Sequence, residues 1–113
     1  MLFTTKSLRI GPTQYAKLYS SVTGIETSAD DLLKAGERVF NLQRMYLAAR
    51  GITSKDDQWP DRFYDEPLPE GPAKGTRLSR QDVDAYKREY YQLRGWDVEG
   101  RPTRKKLQEL DLA

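Results

Sequence analysis

Apolar residues recur at helical spacing in three stretches of the chain, and turn-forming residues separate them. Tyr15, Leu18, Tyr19 and Val22 fall on one face of a 3.6-residue repeat and predict a first helix over residues 13–23. Pro12 suits its start, because the N–H that proline lacks would be unpaired in a first turn, and Gly24 is a natural stop. A longer pattern, Leu32, Ala35, Val39, Leu42, Met45 and Tyr46, predicts a second helix of about 22 residues ending at Gly51. Ser28 is its N-cap candidate, with Asp31 three residues on, close to a capping box. Ser79 and Asp82 repeat that start before the stripe Val83, Tyr86, Tyr90 and Leu93, which Gly95 closes. A short fourth helix follows Pro102-Thr103, with Leu107 and Leu110 as its apolar positions. No stretch alternates as a strand does, and no repeat is visible. The expected fold is all-α: one helical domain over residues 1–113, a small bundle of about four helices.

Two features disturb this regular pattern. Gly36 sits inside the second helix, where glycine costs about 1 kcal/mol relative to alanine. It is either a tolerated defect or a place where another backbone comes close. Between the second and third helices, residues 52–77 hold Pro60, Pro67, Pro69 and Pro72 with Gly71 and Gly75, so the segment cannot be helical throughout. A connection this long is unusual in so small a domain. It carries Trp59, Phe63, Tyr64 and Leu68, whose full exposure would be unfavourable. An extended strap wrapping over a surface is the expectation, whether that surface belongs to its own helices or to a second domain.

Composition narrows the chemistry. In 113 residues, 37% are hydrophobic and 32% charged, which is polar for a self-sufficient fold, but three Phe, two Trp and seven Tyr offset the shortage of aliphatics. The net charge of +2 leaves no strong footprint for nucleic acid or an anionic membrane. No apolar run approaches a membrane span, and Met1 to Lys6 is too short an apolar stretch for a signal peptide, so a cytoplasmic location is expected. The chain has no Cys and no His. A disulfide, a thiolate nucleophile, the usual iron–sulfur ligands and Cys/His zinc sites are therefore excluded within it.

Three constellations remain. Asp56, Asp57, Asp61, Asp65 and Glu66 cluster in the strap, but Lys55 and Arg62 interleave with them, which favours ion pairing and turn formation over acid–base or cation chemistry. Glu70 to Gly75 is glycine-rich, yet it lacks the Lys-Ser/Thr ending of a phosphate loop, and Pro72 removes an N–H that such a loop would use. Near the C-terminus Tyr86, Lys87, Arg88, Tyr90, Tyr91, Arg94, Trp96, Arg101, Arg104, Lys105 and Lys106 interleave aromatic and basic groups as a single-strand-binding surface would. Tyr86 and Tyr90 belong to the apolar stripe, however, and Asp82, Asp84, Glu89, Asp97 and Glu99 dilute the charge, so neither nucleic acid nor membrane is an expected partner. No catalytic, cofactor-binding or metal-ligating residue is assigned.

Taken in order, five blocks resemble the C-terminal end of the tungsten-pterin aldehyde:ferredoxin oxidoreductases. They are Tyr19 to Gly24; Gly36-Glu37-Arg38-Val39-Phe40-Asn41-Leu42-Gln43-Arg44; Lys55-Asp56-Asp57 through Pro60-Asp61-Arg62-Phe63; Glu66 to Gly75; and Tyr90-Tyr91-Gln92-Leu93-Arg94-Gly95-Trp96-Asp97 with Gly100-Arg101-Pro102-Thr103. The resemblance implies a family that oxidises aldehydes to carboxylic acids and passes electrons to ferredoxin, using a tungsten (or molybdenum) bis-pterin cofactor and one 4Fe–4S cluster. It also implies an N-terminal pterin-binding domain followed by two helical domains, with this chain looking like the end of the last. The family's fourth cluster cysteine would lie just before the stretch matching Leu2 to Thr5, where Met1 stands, so no functional residue of the family carries over. The expectation is a segment or subunit that is not catalytic alone. Its partners would be the remaining domains of the oxidoreductase, with Gly36, the strap and Leu2-Phe3 as contact candidates, or a second copy in a homo-oligomer.

Overall fold

The computed structural model describes residues 10–113. Its element order is α1 (Pro12–Thr23), α2 (Ala29–Ala49), α3 (Arg62–Asp65), α4 (Arg80–Arg94) and α5 (Arg104–Glu109). Among the described residues the only β pairing is an isolated antiparallel bridge between Trp96 and Pro102. The fold is all-α, with a one-turn helix inside the strap added to the four expected. Leu2 and Phe3 lie outside the described residues.

Helix ends follow the local chemistry. Gly11 N–H donates to the Gln14 side chain (3.1 Å) ahead of Pro12, and α1 ends at Gly24. Ser28 Oγ accepts from Asp31 N (3.1 Å) while Asp31 accepts from Ser28 N (3.0 Å), a reciprocal pair that satisfies two otherwise orphaned donors. Asp82 N donates to Ser79 Oγ (3.3 Å) and Lys106 N to Thr103 Oγ1 (3.3 Å), starting α4 and α5 in the same way. The α1–α2 turn is fixed by Ser20, whose hydroxyl accepts from Thr27 N at 3.0 Å.

The C-terminal half of α2 packs against α4, the 95–103 turn and α5. Phe40 stacks on Trp96 at 5.7 Å, and Tyr90 and Tyr91 meet the same indole at 5.9 and 5.8 Å. Leu110, just past α5, is 1% exposed, as its place in the predicted stripe implies. The strap is only partly extended. Asp61 and Asp65 pair with Arg80 (3.0 and 3.3 Å), Arg80 stacks on the buried Tyr64, and Leu78 N donates to Phe63 O (2.9 Å). Residues 68–76 close on themselves through Leu68 N to Thr76 O (2.9 Å) and Gly75 N to Leu68 O (2.8 Å). The strap therefore packs partly on its own helices, while Trp59, Phe63 and Leu68 remain exposed.

The other apolar stripes are formed as helical faces but not covered by this chain. On α1, Leu18, Tyr19 and Val22 are exposed and only Ala16 is buried. On α2, Val39, Leu42 and Tyr46 are exposed, and the buried side chains are Asn41 and Arg44. On α4, Tyr86 and Leu93 are exposed, and Tyr91 is buried instead. The radius of gyration is 18.5 Å, against about 13 Å for a compact domain of this length. The accessible surface is 9066 Å², against about 6,400 Å² for a folded monomer of 13.1 kDa.

Candidate functional site

A helix places residues four and seven apart on one face, so α2 presents Glu37, Asn41 and Arg44 together toward α4 and the 95–103 turn. Arg44 is 7% exposed. Its Nε donates to Gly100 O (2.6 Å), and its two terminal nitrogens donate to Asp57 Oδ1 (3.0 Å) and Oδ2 (2.5 Å). The Tyr91 hydroxyl donates to the same Oδ2. The guanidinium lies 5.0 Å from the Trp96 ring and 5.9 Å from that of Tyr91. Asn41, fully buried, accepts from Trp96 Nε1 (2.8 Å) and donates to Glu37 O (2.9 Å).

The turn closes this cluster from the other side. Asp97 Oδ1 accepts from Glu99 N and Arg101 N, both at 2.9 Å, and Asp97 N donates to Arg101 O (2.8 Å). Gly100 has φ +76°, and a Cβ there would meet Tyr91 Cζ at 2.9 Å and overlap the Arg44 guanidinium. Glycine is required at this position on both counts.

Electrostatically the cluster is self-contained. Burial works against the Asp57 charge, but the hydrogen bonds from Arg44 and Tyr91 outweigh it and hold the carboxyl below its usual range. Burial likewise works against the Arg44 charge and is outweighed by Asp57, so Arg44 stays more firmly protonated. Burial first, then the bond to Asp57, pushes the Tyr91 phenol above its ordinary value. Every polar group is engaged, which leaves no free base or nucleophile. The arrangement ties the strap, α2, α4 and the turn to one another. Beside it, Glu37 pairs with Lys106 (3.1 Å) and approaches Arg94 (4.0 Å), while Arg94 stacks on Phe40 at 4.3 Å. Arg94 Nε is buried with no hydrogen-bond partner.

The strap acids do not converge. Asp57 joins Arg44, Asp56 accepts from Thr53 N (2.8 Å), Asp61 and Asp65 hold Arg80, and Glu66 pairs with Arg62 (3.5 Å). This is the ion-paired, turn-forming role read from the sequence, although Asp57, Asp61 and Asp65 find their basic partners, Arg44 and Arg80, outside the strap, and only Glu66 pairs with a strap residue. Of the basic and aromatic residues, Tyr91 and Trp96 are buried and Tyr86 points outward. Among the described residues, no group of three or more side chains gathers that could hold a metal ion, and with neither Cys nor His the donor set does not fit an iron–sulfur cluster. No helix of the described residues is long and apolar enough to cross a membrane.

Several surface hollows lie among the described residues. One of about 1090 Å³ runs between α1 and the N-terminal half of α2. One of about 640 Å³ lies in the strap around Trp59, Phe63, Leu68 and Leu78. One of about 570 Å³ lies beside the Arg44–Asp57 pair. Gly36 opens onto the first, and among the described residues nothing lies within 4 Å of a Cβ placed there.

Comparison with known proteins agrees with the sequence blocks. The tungsten-containing aldehyde ferredoxin oxidoreductases of Pyrococcus furiosus and Thermococcus kodakarensis are 38% and 39% identical over 113 residues, 99% of this chain. The chain spans 18% of the length of each. The WOR-like subunit of an aliphatic sulfonate oxidoreductase from Pyrococcus furiosus is 36% identical over 99 residues. Among solved structures, the active-site complex BamBC of benzoyl coenzyme A reductase, bound to 1,5-dienoyl-CoA, aligns with a TM-score of 0.72 and 28% identity, over 89% of this chain and 14% of that one. The family described as aldehyde ferredoxin oxidoreductase, domains 2 and 3, matches residues 2–112, and the chain belongs to that family.

Proposed function

We propose that this chain is a single helical domain of a tungsten-dependent aldehyde:ferredoxin oxidoreductase, not catalytic by itself, which packs against the rest of that enzyme and helps to shape its substrate channel. The bis-pterin cofactor and the 4Fe–4S cluster would be held by the remainder, because the donors a cluster needs are not among these residues. The observation that carries the reading is how little of the apolar pattern this chain covers. The buried side chains are Ala16, Tyr64, Tyr91, Trp96 and Leu110 with Asn41 and Arg44, while the apolar stripes of α1, α2 and α4 face outward. Exposed apolar surface on this scale marks contact with another body, and the chain spans less than a fifth of its relatives' length.

The test is to purify the chain alone from tungsten- and iron-supplemented cells. The expected product shows no iron–sulfur absorbance and no aldehyde-dependent reduction of a viologen dye. Turnover by this chain alone would defeat the proposal. Light scattering on the same sample separates it from the rival reading of a self-pairing interaction module, which requires a stable symmetric dimer.

A further inference from the structure

The geometry points to the α1–α2 groove as a seat for one apolar helix from the remaining part of the same enzyme, laid across Gly36. This rests on the function proposed above and names the surface that would serve it. Three observations select the occupant. First, Leu18 and Val22 on one wall and Leu33 and Val39 on the other are all more than half exposed, Val22 at 85%. Two polar groups along the groove, Thr23 and Glu37, are committed elsewhere, whereas the buried Arg94 Nε has no hydrogen-bond partner. Thr23 Oγ1 donates to Tyr19 O (2.8 Å) and accepts from Ile25 N (3.2 Å), and Glu37 is held by Lys106. The walls are helices whose backbones are bonded internally, so an extended segment placed here would leave its own N–H and C=O groups without partners. A helix satisfies its own backbone and docks by its apolar face.

Second, Gly36 lines the groove, and no described residue within 4 Å of a Cβ there repays glycine's poor helix propensity. A missing side chain facing open space lets a crossing helix come closer than the 8–10 Å usual between helix axes.

Third, the area decides between a second copy and a larger partner. The chain exposes about 2,700 Å² more than a monomer of its mass should, whereas one standard interface removes about 800 Å² from each partner. A symmetric pair joined through one groove would leave most of that excess open, including the strap hollow around Trp59 and Phe63. A body about four and a half times the size of this chain, as the 18% coverage implies, can cover it all.

The experiment co-expresses the tagged chain with the Pyrococcus furiosus oxidoreductase from which the matching segment has been deleted. The native chain is expected to co-purify with it. Gly36→Leu should raise the melting temperature of the isolated chain, because leucine is the better helix former and its Cβ meets no described neighbour within 4 Å, yet reduce co-purification at least tenfold. This chain has no cysteine, so an introduced thiol is the only one in its band on a gel. Gly36→Cys should react with a maleimide at least tenfold more slowly in the complex than alone, while Lys105→Cys, exposed on α5 and outside these hollows, reacts equally in both. A complex in which Gly36→Cys keeps its free rate overturns the groove assignment and leaves the proposed function standing. No complex with the native chain overturns both. An isolated native chain that dimerises with Gly36→Cys protected makes the occupant a second copy and overturns the proposal.

Discussion

Replacing Gly100 with alanine tests the account of the central cluster most directly, because two separable penalties meet there. The backbone has φ +76°, a region that costs a residue with a Cβ about 1–2 kcal/mol. The new methyl also stands 2.9 Å from Tyr91 Cζ and 3.0 Å from Tyr91 Oη, and it overlaps the Arg44 guanidinium. Either the guanidinium or the turn must move, and in both cases the bond from Arg44 Nε to Gly100 O is lost. A buried hydrogen bond to a charged group is worth about 1.5–3 kcal/mol. The expected destabilisation is therefore about 2.5–5 kcal/mol. Gly51→Ala supplies the control, since that glycine has φ +88° but nothing within 4 Å of an added Cβ. It should show the backbone penalty alone, about 1–2 kcal/mol. Urea unfolding followed by tryptophan emission, in a Trp59→Phe background so that the signal comes from buried Trp96, measures both. If the two variants lose the same stability within about 0.5 kcal/mol, the turn does not bear on Arg44 as described.

The same cluster predicts a pH profile. Asp57 is held below its ordinary value, so its contribution is complete above about pH 4 and is lost as acid titrates it in the folded state. Tyr91 is pushed up, so its contribution is complete below about pH 10 and fades as pH rises further. Melting temperatures from pH 2 to 11 should show a plateau between those limits, with the acid limb reduced in Asp57→Asn and the alkaline limb reduced in Tyr91→Phe. Asn41→Ala leaves the Trp96 N–H buried without an acceptor and should cost about 2–3 kcal/mol by urea unfolding, with a changed Trp96 emission maximum. Ser28→Ala removes the α2 cap and should cost about 1 kcal/mol by the same assay, leaving Trp96 emission in the folded state unchanged.

The helix ends were legible because their causes are local. Gly24, Ser28, Ser79, Gly95 and Thr103 each act on groups within three or four residues, so the sequence carries both partners of the interaction. The orientation of the helices was not legible in the same way. A 3.6-residue apolar stripe says that a face will be covered, not by what, and the stripes of α1, α2 and α4 remain open in this chain. The buried cluster was the least accessible to spacing arguments. Arg44 meets Asp57 across 13 positions and Gly100 across 56, and neither periodicity nor composition connects them. One signal did contain it. Phe40, Asn41, Arg44, Asp57, Tyr91, Trp96 and Gly100 all fall within the blocks that carry the family resemblance. The one-turn helix at Arg62–Asp65 was hidden by the prolines around it, although Asp61 and Asp65 facing Arg80 account for it once the fold is known.

The two kinds of residue in this chain divide the physical work. A buried ion pair contributes little net stability compared with apolar side chains of the same volume, yet breaking one partner costs several kcal/mol because the other charge is stranded. An Arg44–Asp57–Tyr91 cluster is therefore a poor way to make an isolated domain stable and an effective way to allow it only one arrangement. It fixes where the strap leaves α2, and hence where Trp59 and Phe63 stand relative to α4. The aliphatic residues that would build a larger core, such as Leu18, Val22, Leu33, Val39 and Leu93, lie on the surface instead. On the function proposed above, a chain built this way reserves much of its hydrophobic free energy for a contact outside itself, and uses its buried Arg44–Asp57–Tyr91 cluster to keep the contacting surfaces in register. It follows that weakening the interior should disturb assembly as well as stability. Arg44→Lys cannot reproduce the fork that reaches Gly100 and both oxygens of Asp57 together, so even where the isolated chain stays folded it should lose co-purification with the rest of the enzyme. Unchanged assembly of that variant would separate the cluster from the surfaces and refute the link between them.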